Sequence, residues 1–95
     1  MGKKDITLEN TVSSKKNLVT SSIDNEIVMM SVERGSYYTL NGMGSKIWHL
    51  IKKPTIVKNI CAVLSSEYDI EHSLCQKEVL SFLNDMEKNE LLDIC

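Results

Sequence analysis

Residues 36–50 read SYYTLNGMGSKIWHL, and the hydrophobic pattern changes its period inside this stretch. Residues 37–40 form a short β-prone run, in which successive side chains point to opposite faces of a sheet. After Asn41 the apolar residues recur at the spacing of one helix face. They are Met43, Ile47, Trp48, Leu50 and Ile51. The chain is therefore predicted to pass from strands to helices at Asn41.

Two further β-prone runs precede this stretch, at residues 18–20 and 27–32. The segments between the runs, residues 23–26 and 33–36, contain Asp-Asn and Arg-Gly, which are typical of turns. Short connections of this kind join antiparallel neighbours. The three runs therefore predict a three-stranded antiparallel meander.

The first helix is expected to be short, because Pro54 follows it and the residue before a proline is disfavoured in the α region. Thr55 is then expected to cap a second helix, which ends near Tyr68. The apolar residues of this second helix recur at helical spacing. They are Ile56, Ile60, Val63 and Leu64.

A third helix is predicted to begin between Glu71 and Ser73, where Ser73 and Gln76 match the capping box. Its apolar stripe consists of Cys75, Val79, Phe82, Leu83 and Met86. It is expected to end around residues 88–89, before a short apolar tail. The order βββααα predicts a small α+β, winged-helix-like domain, with a three-stranded antiparallel sheet followed by a three-helix bundle.

The N-terminal residues are polar and show no sustained hydrophobic period. We therefore predict a flexible N-terminal arm over residues 1–16, in which the apolar run at residues 6–8 could dock on the body. The folded domain is predicted over residues 17–95.

Length and composition restrict the class of protein. The 95 residues suffice for one domain, and with 42% hydrophobic and 25% charged residues the chain is globular rather than disordered. The net charge of −2 argues against nucleic-acid and membrane partners, because both need a concentrated basic surface. No apolar run approaches the roughly 20 residues of a membrane span, and residues 1–10 lack the apolar stretch of a signal peptide. These features predict a cytoplasmic protein.

The residue types that carry chemistry are few. Cys61, Cys75 and Cys95 are an odd number without a C-x-x-C pair, so reduced thiols are expected rather than a disulfide framework or a zinc site. His49 and His72 lie on different predicted helices, without a metal-ligand spacing to any cysteine, and are expected at the surface. The i, i+3 spacing of His72 and Cys75 is too common on helices to indicate a catalytic pair. We predict that the chain is not an enzyme and holds no metal and no cofactor.

The last predicted strand has an edge without a partner in the meander. If Leu40 points at the helices, alternation places Tyr38 on the same face and Tyr37 with Thr39 on the other. Tyr38 would then pack in the core, and Tyr37 would cover the open face of the sheet. The edge carries no lysine and no proline, so it lacks the usual protection against pairing. Such an edge beside a helix suits the addition of an extended peptide as a further strand.

The same stretch, residues 37–41 with Gly44 and the pair Ile47-Trp48, resembles the Y-x-L-N-x-x-G-x-x-I-W run of PqqD-like proteins, also called RiPP recognition elements. The resemblance covers roughly residues 18–92.

The end of the chain resembles the family's FL…GLL ending, through Phe82-Leu83 and Leu91-Leu92. The family's glycine is missing, because Asn89 or Glu90 stands where it would be. The end of the third helix could therefore differ from that of the family.

The resemblance implies a function. PqqD-like domains bind the leader segment of a ribosomally synthesised precursor peptide, which adds as a strand beside the third strand, in a groove bordered by the third helix. By general similarity, the chain resembles the stand-alone leader-binding proteins of lasso peptide clusters. That similarity implies a separate leader-cleaving cysteine protease and an ATP-dependent cyclase as partners. The stand-alone partner of a radical-SAM enzyme is the nearest sibling, and no motif in the sequence distinguishes the two.

Transferred to this sequence, the resemblance implies a peptide-binding edge and a helix wall. The edge consists of Ser36, Tyr37, Tyr38, Thr39 and Leu40, and the wall consists of Leu74, Cys75, Glu78, Val79 and Phe82. Val79 and Phe82 could equally be plain core residues. Glu78 is expected to be exposed, where it could meet a cation of the leader or simply be solvated.

Two other functions compete with this hypothesis. Winged-helix proteins often bind DNA, but residues 71–95 contain six acidic residues and only two lysines, which would repel a duplex. The alternative of a winged-helix DNA-binding regulator therefore ranks below peptide binding. A small dimerisation or adaptor module is the other alternative, since an open strand edge could also pair two copies of the chain.

Overall fold

The structure is a computed structural model that describes residues 5–16, 18–24 and 26–95. Six strands and three helices make up the described part of the chain. The strands are β1 Thr11–Ser14, β2 Leu18–Ile23, β3 Glu26–Ser31, β4 Ser36–Asn41, β5 Thr55–Ile56 and β6 Leu92–Ile94. The helices are α1 Met43–Leu50, α2 Val57–Tyr68 and α3 His72–Lys88.

Strands β2, β3 and β4 form the predicted antiparallel meander, in that order. Asp24, in the turn between β2 and β3, has a φ of 56°, which is the backbone twist that tight hairpins require. In the turn between β3 and β4, Gly35 has a φ of 64° and its N–H donates to the Ser31 carbonyl at 2.7 Å. Both predicted turns are therefore confirmed.

The core lies between one face of the meander and the three helices. Ile27, Met29 and Leu40 point inward from the sheet and are buried. The helices bury residues at the predicted spacing against them, including Trp48 of α1, which is 3% exposed. The predicted fold class, a three-stranded antiparallel sheet followed by three helices, is confirmed.

The starts of the second and third helices differ from the prediction. Thr55 lies in β5 and does not cap α2, because its Oγ1 donates to the carbonyls of Leu50 and Lys53, at 2.9 and 2.8 Å. Helix α3 already begins at His72, so Ser73 lies inside the first turn and cannot serve as the cap. No side-chain cap hydrogen bond is formed at the N-terminus of α3, and the predicted capping box is wrong.

A second small sheet, of order β5-β1-β6, was not predicted. Strand β1 pairs antiparallel with β5 on one side and with β6 on the other. Val12 of β1 is fully buried, and Ile6 is 3% exposed with its N–H bonded to Asn84 Oδ1 of α3 at 3.0 Å. From Asp5 onward, the segment predicted as a flexible arm is thus packed against the body. Residues 1–4 of that arm lie outside the described residues.

The second sheet also accounts for the apolar tail, since residues 92–94 form β6 against β1. Paired strands of only two to four residues carry too weak a pattern to be recognised in sequence. In the described part of the chain, none of the helices is long and apolar enough to cross a membrane.

Candidate functional site

The hydrogen-bond pattern of β4 follows from the tight hairpin at the far end of β3. Only two residues separate Ile23 from Glu26, which lie opposite each other, and in such a hairpin the flanking residues exchange hydrogen bonds. The N–H and C=O of Glu26 therefore point at β2. Direction alternates along a strand, so the backbone groups of Ile27 and Met29 point at β4.

The backbone groups of Tyr37 and Thr39 point away from the sheet. Tyr38 and Leu40 lie opposite Met29 and Ile27, so their N–H and C=O groups are used in pairing with β3. Those of Tyr37 and Thr39 point to the other side of β4, where no described strand lies. This edge offers hydrogen-bonding groups at alternate residues, as a strand added to the sheet requires.

The side chains of β4 alternate as predicted. Leu40 is 9% exposed and Tyr38 packs against the core, whereas Tyr37 is 72% exposed and Thr39 is exposed on the outer face. Ser36 is half-buried at the start of the strand. The inner side of the β4 edge is therefore apolar, and its outer side is open to solvent.

Helix α3 runs beside β4 in the opposite direction. A Cβ placed on Gly44 would lie 3.1 Å from the Phe82 ring and 3.8 Å from Leu40 Cβ, so Phe82 lies at the C-terminal end of β4. At the other end, Arg34 Nη1 in the turn before β4 lies 3.3 Å from Glu90 Oε2, just after α3. In a helix, residues 82–90 have a length of about 12 Å. In a strand, residues 36–40 have a length of roughly 13 Å, so the two segments can lie side by side over their whole length.

The contact with Phe82 also explains why residue 44 of the sequence motif is a glycine. The ring of Phe82 lies so close to α1 at Gly44 that a side chain there would displace it. Phe82 is half-buried and packs against the core, so it is both a core residue and the part of α3 nearest to the end of the edge.

The other predicted wall residues do not all face the β4 edge. Cys75 and Val79 are fully buried, so they belong to the core and cannot touch a peptide. Leu74 is 48% exposed and Glu78 is exposed, as predicted for Glu78. They precede Phe82 by about 12 and 6 Å along the helix, so they lie beyond the C-terminal end of β4.

Three residues level with β4 were missed by the sequence analysis. Asp85 and Asn89 follow Phe82 by three and seven positions, so they share its side of α3. Asn89 Nδ2 donates to the Asp85 carbonyl at 2.9 Å, and the Asp85 side chain is exposed. Glu90 completes the row at the end near Arg34. The helical spacing from Phe82 was the signal that could have identified them.

Glu90 occupies the position of the missing glycine. Its φ is 59°, in the left-handed region that glycine adopts at no steric cost. Asn89, the other candidate, has a φ of −90°. The helix therefore ends with the same left-handed turn that a glycine would give, and the Glu90 side chain is available to pair with Arg34.

The buried thiols have no catalytic arrangement. Cys75 Sγ donates to the Cys61 carbonyl at 3.7 Å, while His72 is exposed at the start of α3. Burial, followed by the nearby Cys75, raises the pKa of Cys61 to about 11, and burial also raises the pKa of Cys75. Both thiols are therefore protonated and unreactive at neutral pH. Among the described residues, no three His, Cys, Asp or Glu side chains are grouped so that they could hold a metal ion.

Comparisons with known proteins identify the family of the chain and a solved structure with a similar fold. The model of the family "Coenzyme PQQ synthesis protein D (PqqD)" matches residues 26–92. The solved structure of TbiB1 in complex with the TbiA(beta) leader peptide superimposes with a TM-score of 0.80 at 26% sequence identity. The match covers 85% of this chain and 94% of that one. No curated protein matches the sequence significantly.

Proposed function

This chain belongs to the PqqD family, and from that premise we propose that it binds the leader segment of a ribosomally synthesised precursor peptide as an added strand on β4. Proteins of this family are peptide-binding proteins without catalytic activity. The observation that carries the proposal is the β4 edge, where the backbone groups of Tyr37 and Thr39 point outward beside α3. The similar TbiB1 structure, which contains a leader peptide, supports it.

The proposed site has a backbone part and a side-chain part. Ser36 to Leu40 would supply the hydrogen bonds of the added strand, which give affinity without selecting a sequence. Side chains of the peptide opposite Tyr38 and Leu40 would point inward, toward Phe82 and Asp85 of α3. Leu74 and Glu78 would be reached only by residues of the peptide that continue past the end of β4.

The pathway proposed for the chain is lasso peptide biosynthesis in the cytoplasm. There the chain would present the bound leader to a separate leader-cleaving cysteine protease and to an ATP-dependent cyclase. The support for this pathway is the resemblance of the sequence to stand-alone leader-binding proteins of lasso clusters. Neighbouring genes for a radical-SAM enzyme, in place of a protease and a cyclase, would contradict the pathway but not the peptide binding.

The test is a calorimetric titration with the synthetic leader of the precursor encoded beside this gene, without metal or nucleotide. Peptide docking of this size is expected to have a free energy of about −8 to −10 kcal/mol. Amide exchange should show new protection at Tyr37 and Thr39. The absence of heat with every leader of the gene cluster would contradict the function, and protection only on α1 and α2 would contradict the site.

A further inference from the structure

Strand β2 is the second free edge of the meander, and after Leu18, which packs against the core, it is exposed on both faces. Val19 and Ile23 are 59% and 58% exposed on the outer face. Thr20 and Ser22 are exposed on the inner face, where the sheet would be covered if the helices extended beneath β2. From Val19 to Ile23 the core therefore does not cover β2, and this part of the edge can be approached from the side and from both faces.

The outward backbone groups of β2 lie at Thr20 and Ser22. Ile23 pairs with Glu26 across the tight hairpin, so its N–H and C=O point at β3 and those of Ser22 and Thr20 point outward. The strand reads LVTSSI, without a charged residue or a proline. It thus lacks the features by which edge strands usually avoid pairing with another chain.

We propose that two copies of this chain pair through β2, antiparallel, about a two-fold axis at Ser21. In this register Ser21 lies opposite Ser21 of the second copy, and Thr20 lies opposite Ser22. Their outward N–H and C=O groups then form four hydrogen bonds between the copies. Val19 lies opposite Ile23 of the second copy, so exposed apolar side chains meet on the outer face.

The sequence of β2 is complementary to itself, which favours this register and a second copy of the chain as the partner. The other symmetric registers that align the outward groups do not bring Val19 and Ile23 together; one of them places Thr20 opposite itself and Val19 opposite Ser21. It leaves Ile23 without an apolar neighbour, so it is less favourable. Because β2 is uncharged, no like charges oppose each other in the pair, and each copy supplies the surface that the other needs.

The helices leave room for the second copy. A two-fold axis perpendicular to the sheet places both helical layers on the same side, and each layer ends at an open cleft beneath β2. The cleft has a volume of ≈ 390 Å³ and is lined on its two sides by Ser22 of β2 and by Ser45 and His49 of α1. In the dimer the two clefts would face each other on the same side of the sheet.

The contact area between the two copies is small, so the dimer is expected to be weak. Stable interfaces bury about 1,600 Å², which is more than two strands of six residues can contribute. The dimer therefore dissociates on dilution. It leaves β4 free in each copy, so two leader peptides can bind at opposite ends of a six-stranded sheet.

Sedimentation velocity over a wide range of protein concentrations tests the proposal. The wild type should change from monomer to dimer as the concentration rises. Ser21→Lys places two like charges directly opposite each other and should weaken the dimer about fivefold. Thr20→Pro removes one interchain N–H from each copy and should weaken it at least about tenfold. The matched control, Thr39→Lys on the exposed outer face of β4, should leave the dimer unchanged.

A cross-link tests the register directly, in a Cys95→Ser background that removes the exposed thiol. In the proposed pair the two Ser21 residues do not exchange hydrogen bonds, and their Cα atoms are about 4.5 Å apart, which suits a disulfide. Ser21→Cys should therefore form a covalent dimer with oxidised glutathione, and Val19→Cys, opposite Ile23, should not. A monomer at every concentration, an equal cross-link at both positions, or a dimer abolished by Thr39→Lys would overturn the proposal.

Discussion

The two edges of the meander, β2 and β4, differ in what lies beside them. Strands β2 and β4 both have six residues, and neither contains a charged residue or a proline. The inner face of β4 packs against the core, and α3 runs along its free side. In β2 only Leu18 packs against the core, and no described helix runs along its free side. An open edge becomes a groove for a peptide only where a helix supplies a wall.

The largest expected effect is on stability, and it tests which backbone groups of β4 pair with β3 and which point outward. Tyr38→Pro removes an N–H that pairs with Met29 in β3 and replaces a side chain that packs against the core. We expect a loss of about 3 kcal/mol or more in the free energy of unfolding, measured by urea denaturation. A variant as stable as the wild type would show that the assignment of inward and outward backbone groups is reversed.

The next effect compares the two edges with the same substitution. Thr39→Pro removes an outward N–H of β4, so the fold should survive while leader binding weakens by about 1–3 kcal/mol. Thr20→Pro removes an outward N–H of β2 and should leave leader binding unchanged. Calorimetric titration of both variants decides the matter. Equal losses, or a larger loss with Thr20→Pro, would move the peptide site to the other edge.

A smaller effect is expected at Glu90, which follows the C-terminal end of α3. Glu90→Gly relieves a left-handed backbone that costs about 1–2 kcal/mol for a residue with a side chain, but it removes the ion pair with Arg34. That exposed pair contributes at most about 1 kcal/mol, so we expect a net gain in the free energy of unfolding of about 0–2 kcal/mol.

Glu90→Gln serves as the control, because it removes the charge and keeps the strained backbone. It should be slightly less stable than the wild type. Both variants lack the ion pair, so if thermal or urea unfolding shows Glu90→Gly to be the less stable of the two, relief of the left-handed backbone does not stabilise the protein.

The smallest effect tests which part of α3 forms the wall. Glu78→Lys and Asp85→Lys change exposed side chains and should each alter the free energy of unfolding by less than about 0.5 kcal/mol. Asp85 is level with β4 and Glu78 lies beyond its end. The change in leader affinity should therefore be larger for Asp85→Lys, at about 1 kcal/mol or less. Titration giving the larger change for Glu78→Lys would shift the groove toward the start of α3.

The β4 part of the proposed site could be predicted from the sequence. The α3 part differs from the prediction for a single reason. The alternation in residues 37–40 predicted that Tyr38 packs inward and Tyr37 outward, and both side chains do so. The position of α3 along β4 was not predictable, because it depends on how a helix packs many residues away in the chain. The wall that we propose therefore includes Asp85, while Cys75 and Val79, which the sequence analysis assigned to the wall, are buried in the core.

The sequence by itself determined the three-stranded meander, the three helices and the family, because periodic burial is a local property that repeats over many residues. Only the tertiary structure decided that residues 11–14 join two short strands in a second sheet. It also decided that Glu90 takes the left-handed conformation of a glycine and meets Arg34. These features depend on contacts between residues far apart in the chain, and such contacts leave no period in the sequence.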